Sequence, residues 1–167
     1  GSGAPHLENE ARRLEQRFPE NMKAILTYLG REATREYYGA ADFCLIPSNF
    51  EPFGLVQLEA MCMGCIPIGS RVGGINDTIL DLHDFPEECT GRLVPPRNPA
   101  ALARAMVEMA QMSLTSKQQI LLDKMRQRGR EHVIKKFNWD KAAERYIKVY
   151  QNMATIKLPF VSYSEPY

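Results

Sequence analysis

The sequence has 167 residues, 44% hydrophobic and 25% charged, enough for one domain with a real hydrophobic core. Its 21 basic and 20 acidic residues leave a formal net charge of +1, which argues against general affinity for nucleic acid or an acidic membrane. No apolar run approaches the ~20 residues of a membrane-spanning helix, and no stretch reads as a signal peptide.

In chain order, Gly1-Ser2-Gly3-Ala4-Pro5 passes at once into a helical pattern, as if the chain starts inside a domain. His6 to Phe18 carries Leu7, Ala11, Leu14 and Phe18 at helical spacing, and Pro19 stops it. Met22 to Leu29 reads as a strand closed by Gly30, and Arg31 to Ala41 as a short helix. Phe43 to Pro47 reads as a buried strand. Pro47, Ser48, Asn49 and Pro52 break it into a loop, Gly54 permits a tight turn, and Leu55 to Met63 carries good helix formers. Cys65 to Gly69 is another short strand with an exit loop through Gly74, and Ile75 to Leu82 a short helix. His83 to Thr90 reads as a polar surface loop, and Gly91 to Val94 as a last strand ended by Pro95-Pro96.

The last third is helical. Asn98-Pro99 supplies a cap and a first-turn proline for a helix to about Gln111. Thr115-x-x-Gln118 has the form of a capping box for a helix from Ser116 to about Lys135. Asn138 caps a third, Asp140 to about Met153, whose stripe Ala143, Tyr146, Ile147 and Tyr150 reads as core. Strands alternating with helices predict an α/β fold with a parallel sheet, and ligands in such sheets bind outside the carboxyl ends of the strands.

That edge is where the candidate site falls. Strand, tight loop and helix is an arrangement that aims free backbone N–H groups at an anion. Glu51 stands before the helix and Glu59 eight residues on, so two carboxylates can address one ligand at different depths. Alone, each has a plain reading. Glu51 would be a partner for the helix dipole and Glu59 a solvated side chain. Their joint occurrence with Gly54 and Gly73-Gly74 favours a site. Cys44, Cys62, Cys65 and Cys89 make no disulfide framework. Cys62-x-x-Cys65 lacks a second pair at metal-site spacing, so buried thiols and a reducing compartment are expected. His6, His83 and His132 show no catalytic spacing and read as surface residues. Arg71 fits either the edge of a cleft or a salt bridge.

The run Pro47-Ser48-x-x-Glu51-Pro52-x-Gly54-Leu55-x-x-Leu58-Glu59-Ala60-Met61-x-x-Gly64-x-Ile66-Pro67-Ile68, followed by Gly73-Gly74-x-x-Asp77-Thr78, resembles the signature of the starch and glycogen synthases. Gly30 to Asp42 and Phe137 to Tyr146 resemble that family too. The resemblance implies a retaining glycosyltransferase of the GT-B architecture, in which two Rossmann-like domains flank a cleft. Residues 1–153 would be the C-terminal, nucleotide-sugar-binding domain without its first strands. Residues 154–167 would be a tail packing on the partner domain.

The resemblance also assigns roles. Glu51 matches the acidic group beside the donor sugar. Phe53, Gly54 and Leu55 match the backbone facing the sugar and distal phosphate. Glu59 matches the ribose-binding position, and Gly73 and Gly74 the second glycine turn near the donor. Tyr28 or Leu29 falls where the family packs the nucleobase. The donor would be ADP- or UDP-glucose, the acceptor the non-reducing end of an α-1,4-glucan, with no metal or other cofactor. The setting would be cytoplasmic, or plastid in a plant or alga. Another retaining GT-B transferase, forming sucrose, trehalose or a cell-surface glycan, and a non-catalytic nucleotide- or glucan-binding module are the alternatives. The basic pair that such domains deliver to the diphosphate, and the whole N-terminal domain, have no counterpart in this sequence, so these residues alone are expected to be inactive.

Overall fold

A computed structural model describes residues 3–155. The elements are α1 (Pro5–Arg17), α2 (Arg31–Ala40), β1 (Phe43–Ile46), α3 (Val56–Cys62), β2 (Ile66–Ser70), α4 (Gly73–Thr78), β3 (Arg92–Val94), α5 (Pro99–Met112), α6 (Ser116–Lys136) and α7 (Trp139–Thr155). The described strands form one parallel sheet in the order β1-β2-β3. Ile46 lies opposite Gly69, and Ser70 opposite Val94. This is the expected α/β class.

Side-chain alternation in the central strand gives the sheet its two covered faces. Ile66 and Ile68 of β2, with Val94, meet Ala105 and Met109 of α5 and Leu122 and Met125 of α6. On the opposite face Ile46 and Leu93 meet Ile75 of α4 and Ile79 just beyond it. Each such fully buried side chain contributes about 1.5–3 kcal/mol. A third cluster joins Leu58 and Met61 of α3 to Val133 of α6. Pro67 is the second residue of the central strand, where a missing N–H is normally costly. Its neighbour Ile66 donates across to Asp42, so Pro67 turns its nitrogen toward the other side, level with Gly91, one residue before β3 begins.

Local signals placed most boundaries. Asn98 caps α5 through a bond from the Ala101 N–H to its Oδ1 (2.9 Å), and Asn138 caps α7 through Lys141 N–H (2.8 Å). The Thr115 capping box is different. α6 starts where expected, but Thr115 Oγ1 bonds the Gln118 side chain (2.9 Å) rather than a backbone N–H.

Four expectations are corrected. Met22 to Leu29 is irregular, because an apolar run becomes a strand only when a neighbouring backbone completes its ladder, and none of the described strands pairs with it. The helix read over Ile75–Leu82 lies at Gly73–Thr78 instead, since Asp81 bridges Gly91 in parallel fashion and draws the chain out of helix. The loop from His83 to Thr90 ends inside the protein, with Cys89 and Thr90 buried and Thr90 Oγ1 accepting from Leu80 N–H. The α7 stripe is exposed, Tyr146 by 64% and Tyr150 by 66%, because period reveals an apolar face and not what covers it. Of the tail read at 154–167, the first two residues continue α7, and the rest lies outside the described residues.

Candidate functional site

The site is built from two loops at the carboxyl edge of the sheet, held backbone against backbone. After β1 the chain passes through Glu51 and turns at Gly54, whose φ of 78° lies in the left-handed region that glycine tolerates. After β2 it turns at Gly73, with φ of 40°, into α4. Gly74 N–H donates to Glu51 O (3.2 Å). A Cβ at Gly73 would overlap the Glu51 carbonyl, and one at Gly74 the backbone of Phe53. The glycine pair therefore seats the Glu51 loop, and the Gly74 amide is engaged there rather than free for a ligand.

Gln57 fastens the turn from below. Wholly buried in α3, it donates from Nε2 to Phe53 O (2.9 Å) and to Thr78 Oγ1 (3.0 Å). Thr78 donates its own hydrogen to Gly74 O (2.6 Å), so its oxygen must accept from Gln57. That fixes the amide orientation and leaves Gln57 Oε1 a buried acceptor without a partner. The oxygen lies under the turn, 2.6 Å from where a Gly54 Cβ would be.

The outer surface of the loop is open. The N–H groups of Phe53, Gly54 and Leu55 have no hydrogen-bond partner among the described residues. The Leu55 side chain is 63% exposed and Glu51 half-buried. Phe53 packs its ring edge-on against Phe137 (6.1 Å, 60°). α3 is only seven residues long and begins at Val56, so the helix dipole expected from the sequence is small, and the amides of the turn take its place.

Glu59 is exposed on α3 beside Tyr38 of α2. Burial pushes the Tyr38 phenol up to about 12, and the neighbouring Cys44, Glu59 and Cys65 add to the shift. Tyr28 is 86% exposed and Leu29 half-buried in the irregular segment, and no hydrogen bond or ring contact joins either to the Glu51 loop. Arg71 is paired with Asp81 (3.1 Å) and Asp84 (2.8 Å), which decides for the salt bridge. All four thiols are free and raised by burial, Cys65 to about 12. Among the described residues no three His, Cys, Asp or Glu side chains gather as a metal site.

Two histidines expected at the surface are engaged. His83 bridges Glu108 (2.7 Å) and Arg92 (3.1 Å). His132 is half-buried against Phe137, its ring 5.5 Å away, with Nε2 buried and unpartnered. Burial lowers its pKa, Lys136 lowers it further, and the Thr78 backbone acts the other way. Gln57, Thr78 and His132 are thus parts of the site region that the sequence reading left out. Thr78 lay within the quoted signature, and Gln57 is a polar residue inside an apolar helix stretch.

Residues 1–112 match the family described as "Glycosyl transferases group 1". A glycogen synthase of Xanthomonas campestris is 34% identical over 154 residues, 92% of this chain and 30% of that protein. One of Lactiplantibacillus plantarum is 31% identical over 92% of this chain and 31% of its own length. The chain thus spans under a third of the length of these relatives. Among solved structures, a sucrose-phosphate synthase of Thermosynechococcus elongatus superposes with a TM-score of 0.72 at 31% identity, covering 92% of this chain and 37% of that one. The catalytic domain of starch synthase IV from Arabidopsis thaliana, bound to ADP and acarbose, gives 0.74 at 26% identity, covering 90% and 30%.

Proposed function

We propose a function from one premise: this chain belongs to the group 1 glycosyl transferases. It is the donor-binding part of a retaining glucosyltransferase of GT-B architecture that moves glucose from ADP- or UDP-glucose to the non-reducing end of an α-1,4-glucan. The observation that carries the reading is the Glu51 loop. Its backbone is locked on Gly74 and Gln57, while three successive N–H groups beside the carboxylate stay unpaired. The similarity to glycogen synthases and to a starch synthase bound to ADP and acarbose supports the choice of substrates.

The chemistry follows from charge. As the glycosidic bond to a nucleoside diphosphate breaks, negative charge grows on the leaving oxygen. Amides fixed in advance stabilise it without reorganising. Positive charge grows at the anomeric carbon, and the Glu51 carboxylate stabilises it or orients a sugar hydroxyl. The leaving phosphate takes the proton from the acceptor hydroxyl, so no metal or other cofactor is called on. Glu59 would hold the ribose. The remaining length of the relatives corresponds to the domain that would present the acceptor.

The test uses the full-length protein. Glucose transfer from ADP-glucose and UDP-glucose to glycogen is compared with transfer to small acceptors, and donor binding is measured by calorimetry. Glu51→Gln should lower kcat by about 100-fold or more and leave donor Kd within about threefold. Equal losses in kcat and donor affinity would sink the catalytic role. The sucrose-phosphate synthase likeness favours a second reading, transfer to a small sugar acceptor. Activity on such acceptors and none on glycogen would select it.

A further inference from the structure

A second recess opens on the same edge of the sheet, on the α5 side. It is a cavity of about 290 Å³ between the ends of the three strands and the start of α5. Its polar lining is Asn49, Ser70, Arg97 and Asn98. Ser70 is the informative residue. It ends the central strand on the same face as Ile68 and is only 3% exposed, yet its hydroxyl has no partner among the described residues. A hydroxyl that opens on a cavity without a protein partner is set to bond whatever enters.

The other polar groups are exposed and keep bonding capacity unused. Asn49 makes no side-chain hydrogen bond among the described residues, and Asn98 uses Oδ1 for the Ala101 N–H but leaves its Nδ2 free. Arg97 is held at φ 56°, the only described non-glycine residue with positive φ. The end of α5 has little left for an anion. Pro99 has no N–H, Ala101 N–H bonds Asn98 Oδ1, and Leu102 N–H bonds Asn98 O. Mixed neutral donors and acceptors beside Pro95 and Leu102 suit a ring with hydroxyls on its rim and C–H groups on its face. The volume is at the small end for ligand pockets, fitting one ring rather than a nucleotide sugar.

We propose that this cavity is a saccharide subsite, separate from the donor loop, holding one neutral hexose ring through Ser70, Asn49 and Asn98. It goes beyond the donor reading, because none of Ser70, Asn49 and Asn98 bonds Glu51, Gly54, Gln57 or Glu59, the residues of the Glu51 loop and α3 given to the donor. Pro47 and Asn49 lead directly into that loop, so a ring held here stands beside the reacting end of the sheet.

The test is hydrogen exchange on the full-length protein, with ADP or UDP present in excess and maltose titrated in. Maltose should protect amides of residues 94–102, and Ser70→Ala should weaken that protection about fivefold, the worth of one hydrogen bond. Should Ser70→Ala misfold, Asn49→Ala on the exposed loop gives the same reading. No protection, or protection unchanged in these variants, overturns the subsite. So does protection by inorganic phosphate, lost in Arg97→Gly, without protection by maltose. Donor binding is measured alongside. A protein that binds neither nucleotide sugar refutes the proposed function, while maltose protection that depends on Ser70 still upholds the subsite.

Discussion

Two polar clusters flank the carboxyl half of the sheet, and they differ in how completely they are satisfied. Around Asp81, buried at 1% exposure, every partner is in place. Its carboxylate accepts from Leu93 N–H (2.7 Å), Arg92 Nη1 (3.0 Å) and Arg71 Nη2 (3.1 Å), and Arg92 goes on to Glu108 (3.1 Å). Around Gln57 two buried atoms, Gln57 Oε1 and His132 Nε2, have no partner. A saturated cluster fastens elements together. An unsaturated one costs about 1–3 kcal/mol per orphaned group, and here it lies directly beneath the loop assigned to the donor. The contrast separates what holds the fold from what shapes the site.

The largest effect should come from the saturated cluster. Asp81→Ala leaves the Arg92 guanidinium and the Leu93 N–H without their shared acceptor, in surroundings where a broken pair costs about 3–5 kcal/mol. Urea denaturation should show that loss. Asp81→Asn keeps an oxygen for Leu93 and should lose clearly less. Equal losses would mean that the carboxylate charge, not the Leu93 bond, carries the stability. Next comes Gly74→Ala. The new methyl overlaps the Phe53 backbone, so the two loops must part. Overpacking of this kind costs about 1–3 kcal/mol. Because the displaced segment is the loop proposed to hold the donor, calorimetry should show donor Kd raised by about tenfold or more, equivalent to ~1.4 kcal/mol. Unchanged donor affinity would detach Gly74 from the site.

These two residues also mark where the sequence was legible. Gly74 stood in a recognisable signature, so its neighbourhood was found, but its task of bonding Glu51 O depends on two loops meeting in space. Asp81 gave no signal, because its partners come from positions 71, 92 and 93 and converge only after the sheet forms. The same division runs through the fold. β1, β2 and α5 were readable from apolar runs and from Asn98-Pro99, which act over a few residues. Met22 to Leu29 and the α7 stripe were misread because a strand needs a partner and an apolar face needs a cover, and neither is written locally. Gln57 and His132 escaped for a third reason: burial of a polar group becomes visible only in the folded chain.

The unsaturated cluster should lose far less stability than Asp81 and show its effect in turnover instead. Gln57→Met is close in shape, removes the orphaned oxygen, and deletes both bonds from Nε2. Loss of the orphan offsets loss of the bonds, so stability should change by less than about 1 kcal/mol. The turn at Gly54 loses its tie to Phe53 O, and kcat should fall about tenfold through misplaced amides. Gln57→Glu retains the orphan and loses the donor, so it should be worse in both respects. A fall in stability with kcat unchanged would assign Gln57 to packing alone.

The smallest effect tests the rim of the saturated cluster by pH. Burial works to raise the Glu108 carboxyl, but hydrogen bonds from His83 and Arg92 outweigh it and hold the pKa below the usual carboxylate range. Its folded value is therefore lower than its unfolded one. The stability it adds is present above the unfolded value of about 4.3 and is lost as pH falls through the folded value. The carboxylate is partly exposed, with 35% of its side chain in solvent, so screening keeps the contribution small. Denaturation midpoints of the wild type and Glu108→Gln should differ by a constant amount near neutral pH, and the gap should close in acid. A gap that persists well below pH ~3 would show that Glu108 acts through shape and not through charge.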